Sequence, residues 1–178
     1  ILLGDFTEPG FWEQLPNGID LAYSIEAMVH VPDTEAVLAN AARLIPSGGR
    51  FVVMDDFLTQ RAPETAKEER WVREFREGWR APGLRRVSEL TALAHRYGFA
   101  VVEDKDFTPY LELNRPRDMV ARIFISLFRW WPFRGAWFSN LLGGNALQLS
   151  LSRRLITYRY IVLERVDSEG TSVGEALE

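Results

Sequence analysis

The chain has 178 residues, of which 47% are hydrophobic and 26% charged, so it can fold around a core and is not a disordered segment. Its net charge of -4 argues against a nucleic-acid-binding surface, which usually carries a basic excess. It has no cysteine and only two histidines, His30 and His95, which excludes disulfides and thiolate or histidine-rich metal sites within this span.

Two features bear on the location of the protein. The most apolar stretch, residues 123–142, is interrupted by Arg129, Arg134 and Asn140, so we expect no membrane-spanning helix. No signal-peptide pattern opens the sequence, which begins at Ile1 rather than methionine. We therefore expect a cytoplasmic enzyme. The start at Ile1 leaves open whether the chain is a cropped piece or an incomplete gene product.

Short apolar runs and helical periodicity alternate in the first half of the chain. Residues 1–3 are typical of the tail of a buried strand, and residues 6–18 of a loop. The run Asp20–Ile25 predicts a second strand. A helix is predicted from about Thr34 until the Pro-Ser-Gly-Gly turn at 46–49. A third strand then follows, predicted over Arg50–Met54, with Asp55 and Asp56 at its carboxyl end.

The second half begins with two helices and ends in a strand. A charged amphipathic helix is predicted over Pro63–Gly78, and a second helix from Ser88 to a glycine cap at Gly98. Strands are predicted over Phe99–Glu103 and Leu155–Arg165, with aromatic helices over Pro116–Ser152 between them. The tail after Val166 is polar.

Strands that alternate with helices predict an α/β fold with a mostly parallel sheet and helices on both faces. Ligands of such sheets bind beyond the carboxyl ends of the strands. This rule selects three places that follow predicted strands, namely Asp5, residues 24–30 and the Asp55-Asp56 pair.

One part of the sequence is specific enough to suggest a family. The strand and loop Asp20–Asp33, the helix, the Leu-x-Pro-x-Gly-Gly turn that starts at Leu44, and the strand up to Asp56 resemble the second half of a class I S-adenosylmethionine-dependent methyltransferase. The likeness is to the small-molecule branch, which includes sterol, tocopherol and sugar O-methyltransferases. It extends to Thr108 and again over Leu155–Arg165.

The resemblance implies a partial Rossmann-like methyltransferase sheet with an antiparallel last strand. It implies S-adenosylmethionine as the cofactor. The family's glycine-rich loop and its ribose-binding acidic residue are absent from these residues, which corresponds to more than about 60 missing residues. We therefore expect residues 1–166 to be the C-terminal part of a methyltransferase domain, with a polar tail over 167–178, and the fragment alone to be inactive.

The resemblance also implies the residues that contact the cofactor. Asp5 would accept a hydrogen bond from the adenine amine, and the amide of Phe6 would meet a ring nitrogen. Ser24 and Ile25 would pass under the methionine part. Without the resemblance, Asp5 is better interpreted as a residue that caps the turn before Thr7.

Three side chains are candidates for catalysis. His30 follows one strand and Asp56 ends the next, so both can reach one cleft, where an imidazole beside a carboxylate can act as a general base. Glu26 would point into the same cleft. The structural alternatives are that His30 caps the helix near Pro32 and that Asp56 and Glu26 are solvated loop acids. His95 is interpreted as structural.

The stretch from Phe124 to Phe138 is unusually aromatic. Core packing is the first interpretation, a lid over an apolar substrate the second, and contact with a membrane surface the third. We predict that the helical region 115–152 is a substrate-side insertion.

The sequence thus predicts methyl transfer to a small, largely apolar acceptor by O- or C-methylation, with no nucleic-acid partner. The acceptor and the oligomeric state cannot be read from it. A non-catalytic, truncated interaction module is the main alternative. A dehydrogenase of similar architecture is a weaker alternative. Its Gly-x-Gly-x-x-Gly motif would lie upstream, so the absence of that motif here decides nothing, but the downstream resemblance disfavours it.

Overall fold

The structure, a computed structural model, describes residues 4, 6, 8–113, 115–128 and 135–167. The predicted strand over residues 1–3 and the tail over 168–178 lie outside the described residues. The elements in chain order are α1 (Pro9–Trp12), β1 (Leu21–Ile25), α2 (Thr34–Leu44), β2 (Arg50–Leu58), α3 (Ala66–Gly78), α4 (Val87–Arg96), β3 (Phe99–Asp106), α5 (Pro116–Phe128), α6 (Ala136–Ser152) and β4 (Ile156–Arg165).

The described strands form one mixed sheet in the order β1-β2-β4-β3. β1 and β2 are parallel neighbours, with Leu21 opposite Arg50 and Ile25 opposite Met54. The single helix α2 between them makes the crossover that the sequence predicts. β4 is antiparallel to both β2 and β3, and it is inserted between them. The predicted α/β fold and its antiparallel last strand are confirmed, but the described sheet is mixed rather than mostly parallel, because β4 inserts between β2 and β3 and makes two of the three pairings antiparallel.

β2 is longer than the sequence predicts. It runs to Leu58 rather than ending at Met54, so Asp55 and Asp56 lie within the strand. The pairing with β4 continues as far as Leu58 opposite Ile156. Two adjacent acids normally indicate the end of a buried strand, but here the strand continues alongside its long antiparallel partner, and the Asp56 amide donates to the Asp55 carboxylate at 2.9 Å.

The main core lies between the sheet and the helices α2 and α4. Phe51, Val53 and Phe57 of β2 pack there with Leu38 of α2 and Leu90 of α4. α2 begins where the Asp33 carboxylate accepts a hydrogen bond from the Ala36 amide at 2.9 Å, as an N-cap residue does. On the opposite face of β1, side chains at alternate positions are exposed, namely Leu21, Tyr23 and Ile25.

A second core joins α3 to α6 beside the start of β4. Its centre consists of Trp71 and Phe75 from α3 with Ala146 and Leu147 from α6, against Ile156. Among the described residues, no helix is long and apolar enough to cross a membrane.

The crossing of α3 and α6 depends on two glycines. A Cβ added at Gly78 would lie 2.5 Å from the Ser139 carbonyl oxygen, and one added at Gly143 would lie 2.7 Å from Cδ1 of Trp79. Both distances are too short for a real Cβ. The helix backbones therefore touch at this point, as only glycine permits.

We expect Gly143→Ala to destabilise the fold, because the new methyl group must separate α3 from α6. Overpacking of this kind costs about 1–3 kcal/mol, partly offset by the better helix propensity of alanine. Urea denaturation at equilibrium measures the difference.

The neighbouring substitution Gly144→Ala is the matched control. A Cβ there would lie 3.6 Å from the Trp79 ring, an ordinary contact. Gly144→Ala should therefore leave the free energy of unfolding unchanged or raise it by up to about 1 kcal/mol. Equal stability of the two variants would show that the helices do not touch at Gly143.

Candidate active site

The carboxyl ends of β1 and β2 carry a polar cluster. Directly after β1, the amide of Glu26 donates to the Met54 carbonyl oxygen at 2.8 Å, and Glu26 itself has a positive φ of 51°. The chain then forms a 3₁₀ turn over Met28–His30, which passes over the end of β2. A positive φ is uncommon for a residue other than glycine and is often found at functional sites.

Asp55 anchors this turn from below. It is 1% exposed. One carboxylate oxygen accepts the Val29 amide at 3.0 Å, and the other accepts the Asp56 amide at 2.9 Å. Burial raises the pKa of the Asp55 carboxyl, while these hydrogen bonds and the nearby His30 act in the opposite direction. Asp55 therefore holds the turn that carries His30.

Asp56 is in a less favourable environment. Burial, then the neighbouring Asp55 and Glu26, raise the pKa of Asp56 to about 8. Within the part of the chain that the structure describes, Asp56 Oδ1 and the buried Thr34 hydroxyl have no hydrogen-bond partner. Both residues line a small space with room for about one water molecule. The protonated carboxyl is the form that this environment favours.

Tyr158 closes the cluster from β4. It lies opposite Asp56 in the antiparallel pairing, and its hydroxyl donates to Glu26 Oε1 at 3.1 Å. Burial and the adjacent Glu26 raise the pKa of Tyr158, so the phenol stays protonated. This hydrogen bond connects the end of β1 to β4 across β2.

The His30 ring is oriented by the loop after α3. Its Nδ1 donates to the Arg80 carbonyl oxygen at 3.0 Å, since a carbonyl can only accept. In the neutral imidazole this leaves Nε2 with the free lone pair, on an exposed side chain. Arg80 has a positive φ of 50°. Nearby, the Gly83 amide donates to the Val29 carbonyl at 2.8 Å, which holds the loop against the turn.

The three candidate catalytic residues gather at one end of the sheet, although in a different pairing from the one expected. Glu26 acts electrostatically on Asp56, whereas His30 acts on Asp55. The alternative in which His30 caps α2 does not occur, because Asp33 caps that helix. Asp56 lies in a strand and is buried, so it is not a loop acid.

The predicted cofactor contacts are partly described. Asp5 lies outside the described residues. The Phe6 carbonyl accepts a hydrogen bond from Trp12 Nε1 at 2.7 Å, and the Phe6 side chain packs against the main core. Ser24 and Ile25 end β1, where the Ile25 side chain is exposed. These cofactor assignments stay predictions.

Sequence reasoning missed Tyr158 and the Arg80 carbonyl. Tyr158 is 132 residues from Glu26, and only the register of β4 places it here. Arg80 is 50 residues from His30, in a loop whose sequence carries no signal of its role. Asp55 was visible as part of the acidic pair, but nothing in the sequence distinguished it from Asp56.

A larger cavity of about 600 Å³ lies between α5, α6, Trp79 and the segment 111–113. The cavity is lined by the charged residues Glu112, Arg115, Arg117 and Asp118 and by a larger apolar area that includes Leu111, Leu113, Ala121, Leu141, Leu147 and Leu151. Leu147 and Leu151 also pack in the core that contains Val29, next to His30. A cavity of this volume and lining is typical of a small-molecule site.

A family profile described as a methyltransferase domain matches residues 5–104, which is more than half of the chain. The chain belongs to this methyltransferase family. The match includes β1, β2 and the residues of the polar cluster except Tyr158.

Curated relatives of this methyltransferase chain include an O-methyltransferase of Aspergillus nomiae, 36% identical over 87 residues that make up 49% of the chain and 37% of the relative. Another is 24-methylenesterol C-methyltransferase 3 of Arabidopsis thaliana, 33% identical over 107 residues, or 60% of the chain and 29% of the relative. The chain thus spans about a third of the length of these relatives.

Solved structures share the fold. A putative sarcosine dimethylglycine methyltransferase from Galdieria sulphuraria matches with a TM-score of 0.63 at 13% identity. The match covers 92% of the 178-residue chain and 58% of the Galdieria chain. A geranyl diphosphate methyltransferase in complex with S-adenosylmethionine has a TM-score of 0.62 at 16% identity, covering 92% of the chain and 56% of its own.

The raised pKa of Asp56 predicts that stability falls with rising pH. The ordinary value is 3.8 and the folded value about 8, so within that window the folded state holds a proton that the unfolded state has released. The stabilisation is complete below pH 3.8 and is lost as the pH rises through about 8, by up to about 1.4 kcal/mol per pH unit.

Asp56→Asn should flatten this dependence, because an amide cannot lose a proton there. The measurement is the free energy of unfolding of both proteins across the window. Asp20→Asn, at an exposed acid before β1, is the control and should keep the original slope. An unchanged slope in Asp56→Asn would mean that the carboxyl is ionised in the folded protein.

Proposed function

We propose that the complete protein is an S-adenosylmethionine-dependent methyltransferase that transfers a methyl group to an oxygen or carbon of a small, largely apolar acceptor. The observation that carries transfer to an acceptor oxygen is the placement of His30. Its Nδ1 is fixed by the carbonyl of Arg80, which follows Trp79 of the cavity wall, and its Nε2 lies on an exposed side chain after the end of β1. The family match and the cofactor in the geranyl diphosphate enzyme support the choice of cofactor.

The described residues fit one side of such a cofactor. The Ile25 side chain offers an exposed apolar surface at the end of β1, and the Ser24 hydroxyl can donate or accept a hydrogen bond. Phe6 and Asp5 precede the strand and would hold the adenine. The 178 residues contain no Gly-x-Gly loop, so contacts to the rest of the cofactor would come from residues outside this sequence. When bound, S-adenosylmethionine supplies a sulfonium methyl group.

For an acceptor hydroxyl, His30 would act as the general base. Its Nε2 would take the proton of the acceptor hydroxyl during methyl transfer. The imidazolium that results lies near the buried Asp55, which stabilises the positive charge. Most of the rate acceleration would come from alignment of the two reactants.

The acceptor would be held in the 600 Å³ cavity. Its apolar side chains suit the hydrocarbon part of a terpenoid, sterol or aromatic molecule, and Glu112, Arg115, Arg117 and Asp118 could contact a polar group on that molecule. The relatives named as sterol C-methyltransferases and O-methyltransferases support this class of acceptor. In this proposal α5, α6 and the segment 111–113 form the substrate side of the domain, within the insertion predicted over residues 115–152.

We expect the 178-residue chain to bind S-adenosylmethionine weakly, with a dissociation constant of about 1 mM or higher, or not at all. The reason is that the described residues surround only one side of the cofactor. Isothermal titration calorimetry tests this, with the complete protein as the reference. Tight, stoichiometric binding by the chain alone would show that the cofactor site lies elsewhere, and would contradict the assignments at Ser24 and Ile25.

In the complete enzyme, His30→Ala should lower the turnover number by about 10²- to 10⁴-fold with little change in cofactor affinity. Asp55→Asn should have a smaller effect, because it acts through the ring, and Asp56→Asn should also cost less than His30→Ala. The measurement is methyl transfer to a panel of sterols, phenols and terpenoids.

His95→Ala is the matched control, since His95 is an exposed histidine on α4 outside the cluster. It should leave turnover unchanged. If His30→Ala also left turnover unchanged, the acceptor would be one that needs no deprotonation. The role of His30 as a general base would then be wrong, while the methyltransferase proposal would remain.

A further inference from the structure

Helix α5 exposes an apolar face. Two adjacent rows at helical spacing, Met119-Ile123-Leu127 and Val120-Phe124-Phe128, have side chains that are 36–72% exposed. Ile125 is the buried residue of this helix. The exposed Trp137 at the start of α6 extends the face, with its ring 6.1 Å from that of Phe124. We call these seven residues the α5 face.

The α5 face is unlike an ordinary solvated surface. Single exposed apolar residues are common, but a contiguous set on one helix indicates an interaction site. The helix has 13 residues and is about 20 Å long, so six large side chains cover most of its outer side. This corrects the expectation of core packing for the described part of the aromatic stretch.

The net charge of the region around the α5 face indicates what kind of partner it binds. Residues 115–137 contain five arginines and one aspartate, a net charge of +4, while the whole chain carries -4. The rest of the chain is therefore acidic. Of the arginines, Arg117 has a 73% exposed side chain that lies 3.7 Å from the Asp118 carboxylate, and Arg115 pairs with Glu112 at 2.7 Å. Arg129 and Arg134 lie outside the described residues, and the α5 face does not include them.

We infer that the α5 face docks on the surface of a membrane that contains anionic lipid. The helix is too short to cross a bilayer, and an apolar face beside basic residues is the pattern of helices that lie in the interface. The apolar side chains would enter the boundary of the acyl chains, and the arginines would meet the headgroups. A second copy fits less well, because its basic region would face an identical one.

The docking has a consequence for the acceptor. Ala121 and Arg117 of α5 line the 600 Å³ cavity, so the helix would separate the bilayer from the cavity. An apolar acceptor dissolved in the membrane would then enter the site at this helix. This consequence rests on the proposed function, whereas the docking itself does not.

The test is flotation of the chain with phosphatidylcholine vesicles, with and without about one third phosphatidylserine. We expect binding to the anionic vesicles, weaker binding to the neutral ones, and loss of the difference at high salt. Ile123→Glu combined with Leu127→Glu should reduce the partition coefficient by roughly 100-fold or more, because two apolar side chains no longer enter the boundary. Arg117→Glu should reduce it roughly fivefold or more, on anionic vesicles alone.

Two control variants introduce the same kinds of charge change at exposed positions outside the α5 face. Val102→Glu with Val166→Glu introduces two charges at exposed valines outside the α5 face, and Arg73→Glu reverses a charge on α3; both should leave binding unchanged. Circular dichroism and thermal unfolding verify that each variant folds. The inference is overturned if the chain does not float with anionic vesicles, or if the control pair weakens binding as much as the Ile123 and Leu127 pair. It is also overturned if the chain is a dimer without lipid and the Ile123 and Leu127 pair dissociates it, which would assign the face to a second copy.

Discussion

The pairing of β2 with β4 is the constraint on which the candidate site depends. Nine residues of β2, from Arg50 to Leu58, pair with β4, and this ladder extends the strand through two acids that would otherwise end it. The Asp56 amide is bonded by the Asp55 carboxylate rather than by β4, and both carboxyl groups are buried toward the carboxyl end of the strand. Burial of adjacent carboxyls is unfavourable, so the surrounding structure must compensate for it.

The two buried carboxyl groups receive different numbers of hydrogen bonds, and this difference determines the geometry of the site. Asp55 receives two backbone amides, and one of them, from Val29, fixes the 3₁₀ turn in place. The same turn carries His30, whose ring then meets the Arg80 carbonyl. The Asp56 carboxyl lacks such amide donors at Oδ1, and its environment favours the protonated form. One strand extension therefore accounts for a supported carboxylate, an oriented imidazole and a neutral acid.

The sequence predicted the helices and strands that depend on local pattern, but it did not predict the contacts between residues far apart in the chain. Apolar runs and helical spacing indicated the parallel pair β1–β2, the crossover helix and the last strand, all of which are confirmed. The contacts that define the site join residues far apart, such as Tyr158 with Glu26, and depend on strand register and loop path. The exposure of α5 also escaped, because an apolar helical pattern has the same appearance whether its partner is the core or another surface.

The two exposed apolar surfaces differ in a way that assigns them different partners. Leu21, Tyr23 and Ile25 project from one face of a strand at the edge of the described sheet, between the acids Asp20 and Glu26. An edge strand has free backbone groups, so β1 can pair with a further strand along its edge, while Ile25 on its exposed face would meet the cofactor. The α5 face has its backbone groups satisfied within the helix and lies in the basic part of the chain. A surface that needs no backbone partner, and that combines apolar side chains with arginines, is suited to lipid rather than to protein.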